Sequence, residues 1–264
     1  MLKESEKQIH STYFEGMTSI RAIISGMDRG VNDRRIETIY YDKNKIIKNH
    51  KEIGYLKAVS SKYDFEVVET SSEQIDNIAL GTSHGGIIAK ASERSLPHFS
   101  TMFSERITNS KGDFFVIIDG IEDPYNFGYA IRSLYACGCD GIILGERNWM
   151  SAAGVVARSS AGASEMLPIY SGDILACLDL FKENGYNIIC ADERTDNILG
   201  ECDIKFPLLL LVGGEKRGIS RAVLDKADTL IKIDYAKEFR ASLSAASAAT
   251  MFGYEIMRQN KKKK

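Results

Sequence analysis

Along the opening stretch of the chain, apolar positions switch between two rhythms. In GMTSIRAIISGMDRG (16–30), Ile20, Ile23 and Ile24 recur at helical spacing and the run ends on glycine, which predicts a helix. RIETIYYD (35–42) reads as a strand, KIIKNHKEIGYLKAVSSK (45–62) returns to the helical period, and DFEVVET (64–70) reads as a strand again. SSEQIDNIAL (71–80) opens on serines suited to an N-cap and reads as a helix, and GGIIAKA (85–91) closes as a strand. Together these elements predict a small α/β domain able to stand as its own unit.

The pattern changes further on. FFVIID, GIILG, LPIY, NIICAD, PLLLLVGG and TLIKID are short strand candidates, several of them near-continuous apolar runs, as expected of parallel strands buried on both faces. SGDILACLDLFKENG and ISRAVLDKAD lie between them as helices. The stretch from about 91 to 112, rich in Ser, Pro, Asn and Gly, reads as a connector with room for a short helix. The expected division is a first α/β domain over 1–98, a linker over 99–112 and a second α/β domain over 113–264. Ligands of such parallel sheets bind at the carboxyl ends of the strands, in the loops that lead into helices.

Composition narrows the classes. The 264 residues are 44% hydrophobic and 27% charged, as in soluble globular proteins. No apolar run reaches the roughly 18 residues of a membrane span, and MLKESEKQIH offers no apolar core for a signal peptide, so a cytoplasmic protein is expected. Cysteines 137, 139, 177, 190 and 202 form no CxxC pair and are expected as buried free thiols. The four scattered histidines form neither HxxxH nor HExxH, so no metal centre is expected. Net charge is −2, yet the 34 Lys and Arg residues can cluster on one face; the terminal KKKK is either a solvated tail or a phosphate contact.

Three loops carry candidate chemistry. In DPYNFGYAIRS (123–133) a helix places Phe127, Ala130, Ile131 and Leu134 on one stripe and Asn126, Tyr129, Arg132 and Ser133 on the other. Asn126 and Arg132 are then about 9 Å apart along the axis, a distance suited to gripping two parts of one ligand; the plainer alternative is a capping Asn and a merely exposed Arg. In LLLLVGGEKRGIS (208–220) Gly213 and Gly214 end a strand and let a ligand approach bare backbone, or simply make a tight turn; the loop is neither a Walker loop nor a GxGxxG turn. In SLSAASAATMFGYE (242–255), Ser242 or Ser244 caps a helix whose small residues admit a close neighbour, be it sheet, helix or flat ligand.

In order and spacing these loops resemble the three signature motifs of the SpoU/TrmH-type RNA ribose methyltransferases of the SPOUT superfamily. IDGIEDPYNFGYAIRSLYACGCDGIIL resembles motif one, LLLLVGGEKRGISRAVLDKAD motif two, and IKIDYAKEFRASLSAASAATMFGYE motif three. VVARSSAGASEMLPI is similar to the segment that the family places between motifs one and two. The likeness covers about 115 to 258. The first half resembles, in layout more than in letters, the family's ribosomal-protein-like substrate-binding domain.

The resemblance implies a trefoil-knotted parallel-sheet methyltransferase domain, S-adenosyl-L-methionine as methyl donor, and a homodimer acting on rRNA or tRNA, with rRNA favoured. It places the cofactor against Gly213, Gly214, Ile233, Leu243 and Ser244, and implies that Asn126 and Arg132 act at the target ribose, with Glu215, third of the catalytic set, supporting the loop or contacting the RNA. Arginine is a poor general base, so Arg132 would orient the nucleotide and stabilise the developing alkoxide. Motif three usually reads S-L-N, and here Ser244 stands in the asparagine's place; Lys216 and Arg217 also depart from motif two. Two other readings stand beside this one: a catalytically silent RNA-binding or ribosome-assembly protein on the same fold, and an unrelated α/β enzyme using the Gly213–Gly214 loop for another nucleotide.

Overall fold

The computed structural model describes residues 12–82, 84–106, 112–145, 152–214 and 217–260. The chain divides into two compact units: residues 1–95 with 148–166, and residues 96–147 with 167–264.

The first unit begins with β1 (Tyr13–Glu15) and α1 (Gly16–Asp28), followed by β2 (Ile36–Asp42), a 3-10 turn (Lys43–Lys45) and α2 (His50–Tyr63). β3 (Glu66–Thr70), α3 (Ser72–Ile78) and β4 (Ile87–Ala91) complete its continuous part. The sheet order is β1-β4-β2-β3, with β2 and β3 parallel and β4 antiparallel to both β1 and β2. Phe14, Ile20, Ile23, Ile36, Ile39 and Leu56 form the core between sheet and helices. Ser71 caps α3 in a reciprocal box with Gln74, as its serines foretell.

Two local features depart from the sequence expectation. β1 is a three-residue strand that no periodicity announces. The helix expected from residue 45 begins only at His50. The carboxylate of Asp42 accepts the Asn44 N–H at 2.9 Å and turns the chain before a helix can start.

The rest of the chain runs α4 (Ser100–Arg106), β5 (Phe114–Asp119), α5 (Pro124–Ala136), β6 (Gly141–Leu144), α6 (Ala153–Ser159), α7 (Ala163–Met166), β7 (Ile169–Ser171) and α8 (Ile174–Glu183). It ends with β8 (Asn187–Ala191), β9 (Leu208–Gly213), α9 (Arg221–Leu224), β10 (Thr229–Ile231) and α10 (Ala245–Asn260). In the second unit six strands form one wholly parallel sheet in the order β10-β8-β9-β5-β6-β7. Phe115, Ile117, Leu209 and Leu211 pack on one face with Phe181 and Tyr186, and the alternate residues Phe114, Val116, Leu208 and Leu210 are equally buried. Both faces are therefore covered, and the apolar runs read in the sequence have this cause.

The unbroken division into 1–98 and 113–264 is interrupted in the contacts: α6 and α7 pack with the first unit. Ala153 and Ala157 enter its apolar core. Polar contacts seal the union. The Arg34 Nε meets Glu165 Oε2 at 2.7 Å with both side chains buried, and Arg34 also donates to the Ser92 carbonyl and lies over the Phe14 ring. Arg94 donates to the carbonyls of Ser164 and Val31, and Arg158 pairs with Glu15 at 2.8 Å. At Gly162, whose φ is +84°, an added Cβ would stand 2.4 Å from that of Ala22.

Candidate active site

The second unit brings Gly213, Gly214, Ile233 and Leu243 to one edge, at the carboxyl ends of β8, β9 and β10. β9 lies inside the sheet between β8 and β5 and delivers Gly213 and Gly214 there. The Gly214 N–H donates to the Asp119 carbonyl at the end of β5, and a Cβ on Gly214 would stand 2.0 Å from the Gly120 oxygen. The loop then folds back, its Gly218 at φ +60° donating to the Gly214 carbonyl at 2.9 Å. A Cβ on Gly213 would meet Gly218 at 2.8 Å and the Ile219 nitrogen at 2.9 Å. Gly214 thus answers a crossing made wholly of backbone, and Gly213 one made of backbone and the Ile219 side chain, whose Cγ1 would also stand 2.9 Å from the added Cβ. Glu215 and Lys216, between them and Gly218, lie outside the described residues.

Beside this crossing opens a cavity of about 640 Å³, within the size range of small-molecule sites. Val212, Gly213, Gly214 and Ala191 line its side toward the strand ends, Ile231 and Ile233 a second side, and Ala245, Ala248 and Phe252 of α10 a third. The loop after β10 contributes Tyr235, Phe239, Ser242 and Leu243. This loop is tied by the Leu243 N–H, which donates to the Tyr235 hydroxyl at 3.2 Å, and by edge-on packing of Tyr235 on Phe239 with ring centres 5.9 Å apart. Phe239 remains 57% exposed, beyond what the packing of Tyr235 covers.

Charges at the rim are mixed: Asp192, Glu193 and Asp234 against Arg194, Arg217 and Lys232. Arg194 grips Asp192 with two parallel bonds of 2.8 Å. The hydrogen bond from that guanidinium holds the Asp192 carboxyl below its ordinary value although partial burial opposes it. The lining thus combines apolar side chains, backbone polar groups at the strand ends, two aromatic rings and charges of both signs.

Of the residues proposed from sequence for a cofactor, Gly213, Gly214, Ile233 and Leu243 line this one cavity. Ser244 is not part of the lining: its hydroxyl accepts the Ser247 N–H at 3.1 Å, and its carbonyl accepts the Ala248 N–H, which makes it the N-cap of α10. Sequence reasoning missed Asp192, Arg194, Tyr235 and Phe239. The available signal was an aromatic pair, YAKEF, in an irregular charged stretch directly after a strand's carboxyl end.

Asn126 and Arg132 lie elsewhere in the unit. Asp123 caps α5, accepting the N–H groups of Tyr125 and Asn126, and Pro124 takes the first helical position, so Asn126 is not the cap. Phe127, Ala130, Ile131 and Leu134 are buried on the inner stripe as the spacing predicts. Tyr129 and Arg132 are exposed and Asn126 is half-buried, and neither Asn126 nor Arg132 lines the cavity. The two side chains have no hydrogen-bond or ionic partner among the described residues, which leaves both available to an outside ligand. α5 packs on α10, with the Thr250 hydroxyl donating to that of Ser133 at 2.8 Å.

Among the described residues no cluster of three His, Cys, Asp or Glu side chains is placed to hold a metal ion, and no helix is long and apolar enough to cross a membrane. All five cysteines are free, with Cys139, Cys177 and Cys190 buried and Cys137 and Cys202 only partly so. Burial pushes the Cys177 thiol up to about 12, which marks it as a packing residue.

Known proteins agree with this architecture. A protein of Staphylococcus saprophyticus named for the TrmH family of tRNA/rRNA methyltransferases is 30% identical over 194 residues, 73% of this chain and 77% of its own. Two solved structures share the fold. An AdoMet-bound rRNA methyltransferase from Sinorhizobium meliloti superimposes with a TM-score of 0.78 at 20% identity, covering 98% of this chain and 96% of that one. An RNA 2′-O ribose methyltransferase superimposes with a TM-score of 0.76 at 21% identity over 94% of this chain and 88% of that one. Residues 113–254 match the model of the SpoU rRNA methylase family, which spans the sheet, the glycine crossing and the cavity described above. The chain belongs to the SpoU rRNA methylase family of RNA methyltransferases.

Proposed function

We propose that the protein transfers a methyl group from S-adenosyl-L-methionine to a ribose 2′-hydroxyl of structured RNA, with ribosomal RNA the favoured substrate. The observation that carries this reading is the convergence of Gly213, Gly214, Ile233 and Leu243 on one cavity at the strand ends. The residues fit the cofactor: the glycine crossing and strand ends offer backbone polar groups, while Val212, Ile231 and Phe252 offer apolar surface to its adenine ring. When bound, S-adenosyl-L-methionine supplies a methyl group already activated by a sulfonium charge.

The chain's own residues then have to position the nucleotide. Arginine is a poor general base, so the work of Arg132 is to hold the nucleotide and stabilise negative charge developing on the ribose oxygen. Asn126, six residues and about 1.7 turns earlier on the same helix, orients the sugar or its phosphate. Both stand outside the cavity lining, which a site completed by a second copy of the chain explains. Tyr125 and Tyr129 on α5 and Met251 and Tyr254 on α10 are large exposed side chains on two packed helices, and a homodimer would cover them. The trefoil knot and the cytoplasmic location belong to the same proposal, as does an RNA-binding role for the first unit. Glu215 is proposed to support the motif-two loop or to touch RNA.

The test is calorimetric titration with S-adenosyl-L-methionine, followed by transfer of radiolabelled methyl to ribosomal RNA and alkaline hydrolysis. A 2′-O-methyl group blocks cleavage at its own nucleotide, so label is expected in alkali-resistant dinucleotides. Label released as mononucleotides would move the reaction to a base. A folded protein that binds no cofactor, alone or with RNA, would favour the silent RNA-binding alternative.

A further inference from the structure

We infer that the lysine-ringed turn following β2 is the surface by which the first unit grips RNA, with unpaired nucleotides as its ligand. This inference rests on the RNA-substrate proposal and adds to it a site. Although the chain carries a net charge of −2, the segment KNKIIKNHK (43–51) holds four lysines and no acid. Lys43, Lys48 and Lys51 are exposed and have no acidic partner among the described residues, and Lys45 stands 3.9 Å from Asp42. Between the lysines project Ile46, 38% exposed, and Ile47, 91% exposed. An isoleucine placed this far into solvent does nothing for the core.

The turn is held in shape from beneath. Asp42 is 1% exposed; its carboxylate accepts the Asn44 N–H and the Ser72 hydroxyl, and its own N–H donates to the Gly86 carbonyl. Burial opposes its ionisation, yet the Asn44 and Ser72 bonds, with the Lys45 charge, outweigh it and hold the carboxyl below its ordinary value. Asn49 reaches across to the Gly85 carbonyl at 3.0 Å. Strand directions put these braces at one edge: β2 and β3 end together, with Asp42 opposite Thr70, and antiparallel β4 begins there, with Ile87 opposite Tyr41. The loops 43–49, 71–72 and 84–86 therefore gather at one end of the sheet.

A braced turn with cations flanking an apolar apex matches a nucleotide whose phosphates are bound ionically while its base or ribose face packs on carbon. Regular duplex RNA hides those faces; loops and bulges expose them. Family membership favours RNA over an acidic protein surface as the occupant.

The experiment uses the full chain and deproteinised bacterial ribosomal RNA in filter binding at several salt concentrations. Two variants accompany the wild type: a triple Lys43→Gln, Lys48→Gln, Lys51→Gln, and Ile47→Ala. The triple variant is expected to lose at least tenfold in affinity and to lower the slope of log K against log salt by about two, since each single-strand phosphate contact contributes roughly 0.7. Ile47→Ala is expected to weaken binding severalfold with the slope unchanged. Circular dichroism and cofactor titration should match the wild type in both. Equal affinity and slope in wild type and triple variant would overturn the inference alone, as it would if the turn served an acidic protein. Failure of the wild type to bind RNA at all would overturn both the inference and the RNA-substrate proposal.

Discussion

The two units close their cores by different means. The second does so with carbon: LLLLV in β9 and FFVII in β5 are buried on both faces between layers of helix. The first adds ionic contacts to its apolar core: Arg34 on Glu165, both buried, the partly exposed Arg158 on buried Glu15, and buried Arg94 on two carbonyls. Apolar burial is tolerant of small errors in geometry, whereas a buried ion without its partner is heavily penalised. The difference predicts that single substitutions will fall hardest on the first unit's charge contacts.

Glu165→Leu is the strongest way to break the comparison. It leaves the Arg34 guanidinium buried and uncompensated, and a loss of about 3–5 kcal/mol in unfolding free energy is expected by denaturant titration. The double variant Arg34→Met, Glu165→Leu should regain most of that loss, and failure to do so would assign the cost to packing. Gly214→Ala tests the second unit at its tightest point. With the Gly120 oxygen 2.0 Å from the new Cβ, about 1–3 kcal/mol should be lost, and cofactor titration should show binding abolished. Ser244→Ala removes the cap of α10 and should cost about 1 kcal/mol while cofactor binding remains; a larger loss of binding than of stability would return Ser244 to the cavity. Arg132→Ala should change stability by less than about 0.5 kcal/mol, as exposed sites do, yet abolish methyl transfer in the radiolabel assay with cofactor affinity intact.

These contrasts also explain what the sequence could disclose. Strands buried on both faces write themselves as apolar runs, so β5, β8 and β9 were legible with nearly correct ends. The α5 stripe was legible for the same reason, since Phe127, Ala130, Ile131 and Leu134 repeat at the helical period. β1 was not, because three residues hold no period. The membership of α6 and α7 in the first unit was hidden for a different reason: it depends on Arg34 meeting Glu165, partners 131 positions apart, in a segment of small residues. At the candidate site, the glycines were legible because the crossing of backbones forbids a Cβ. The aromatic rim was not, since DYAKEFRAS follows neither period and is tied within its own loop by the Leu243–Tyr235 bond and the packing of Tyr235 on Phe239.

The interruption of the first unit has a consequence for how such proteins can be recombined. A module encoded by one continuous stretch can be moved between genes with a breakpoint at each end. Here the helices at 153–166 complete the first unit from within the stretch that encodes the second. Exchanging the N-terminal ninety-odd residues for those of a relative would bring a foreign counterpart to Glu15, Arg34 and Arg94 and leave Arg158, Ser164 and Glu165 behind. A functional chimera therefore needs a second donor patch at 152–166, and natural lineages that swapped the front half should carry compensating changes there.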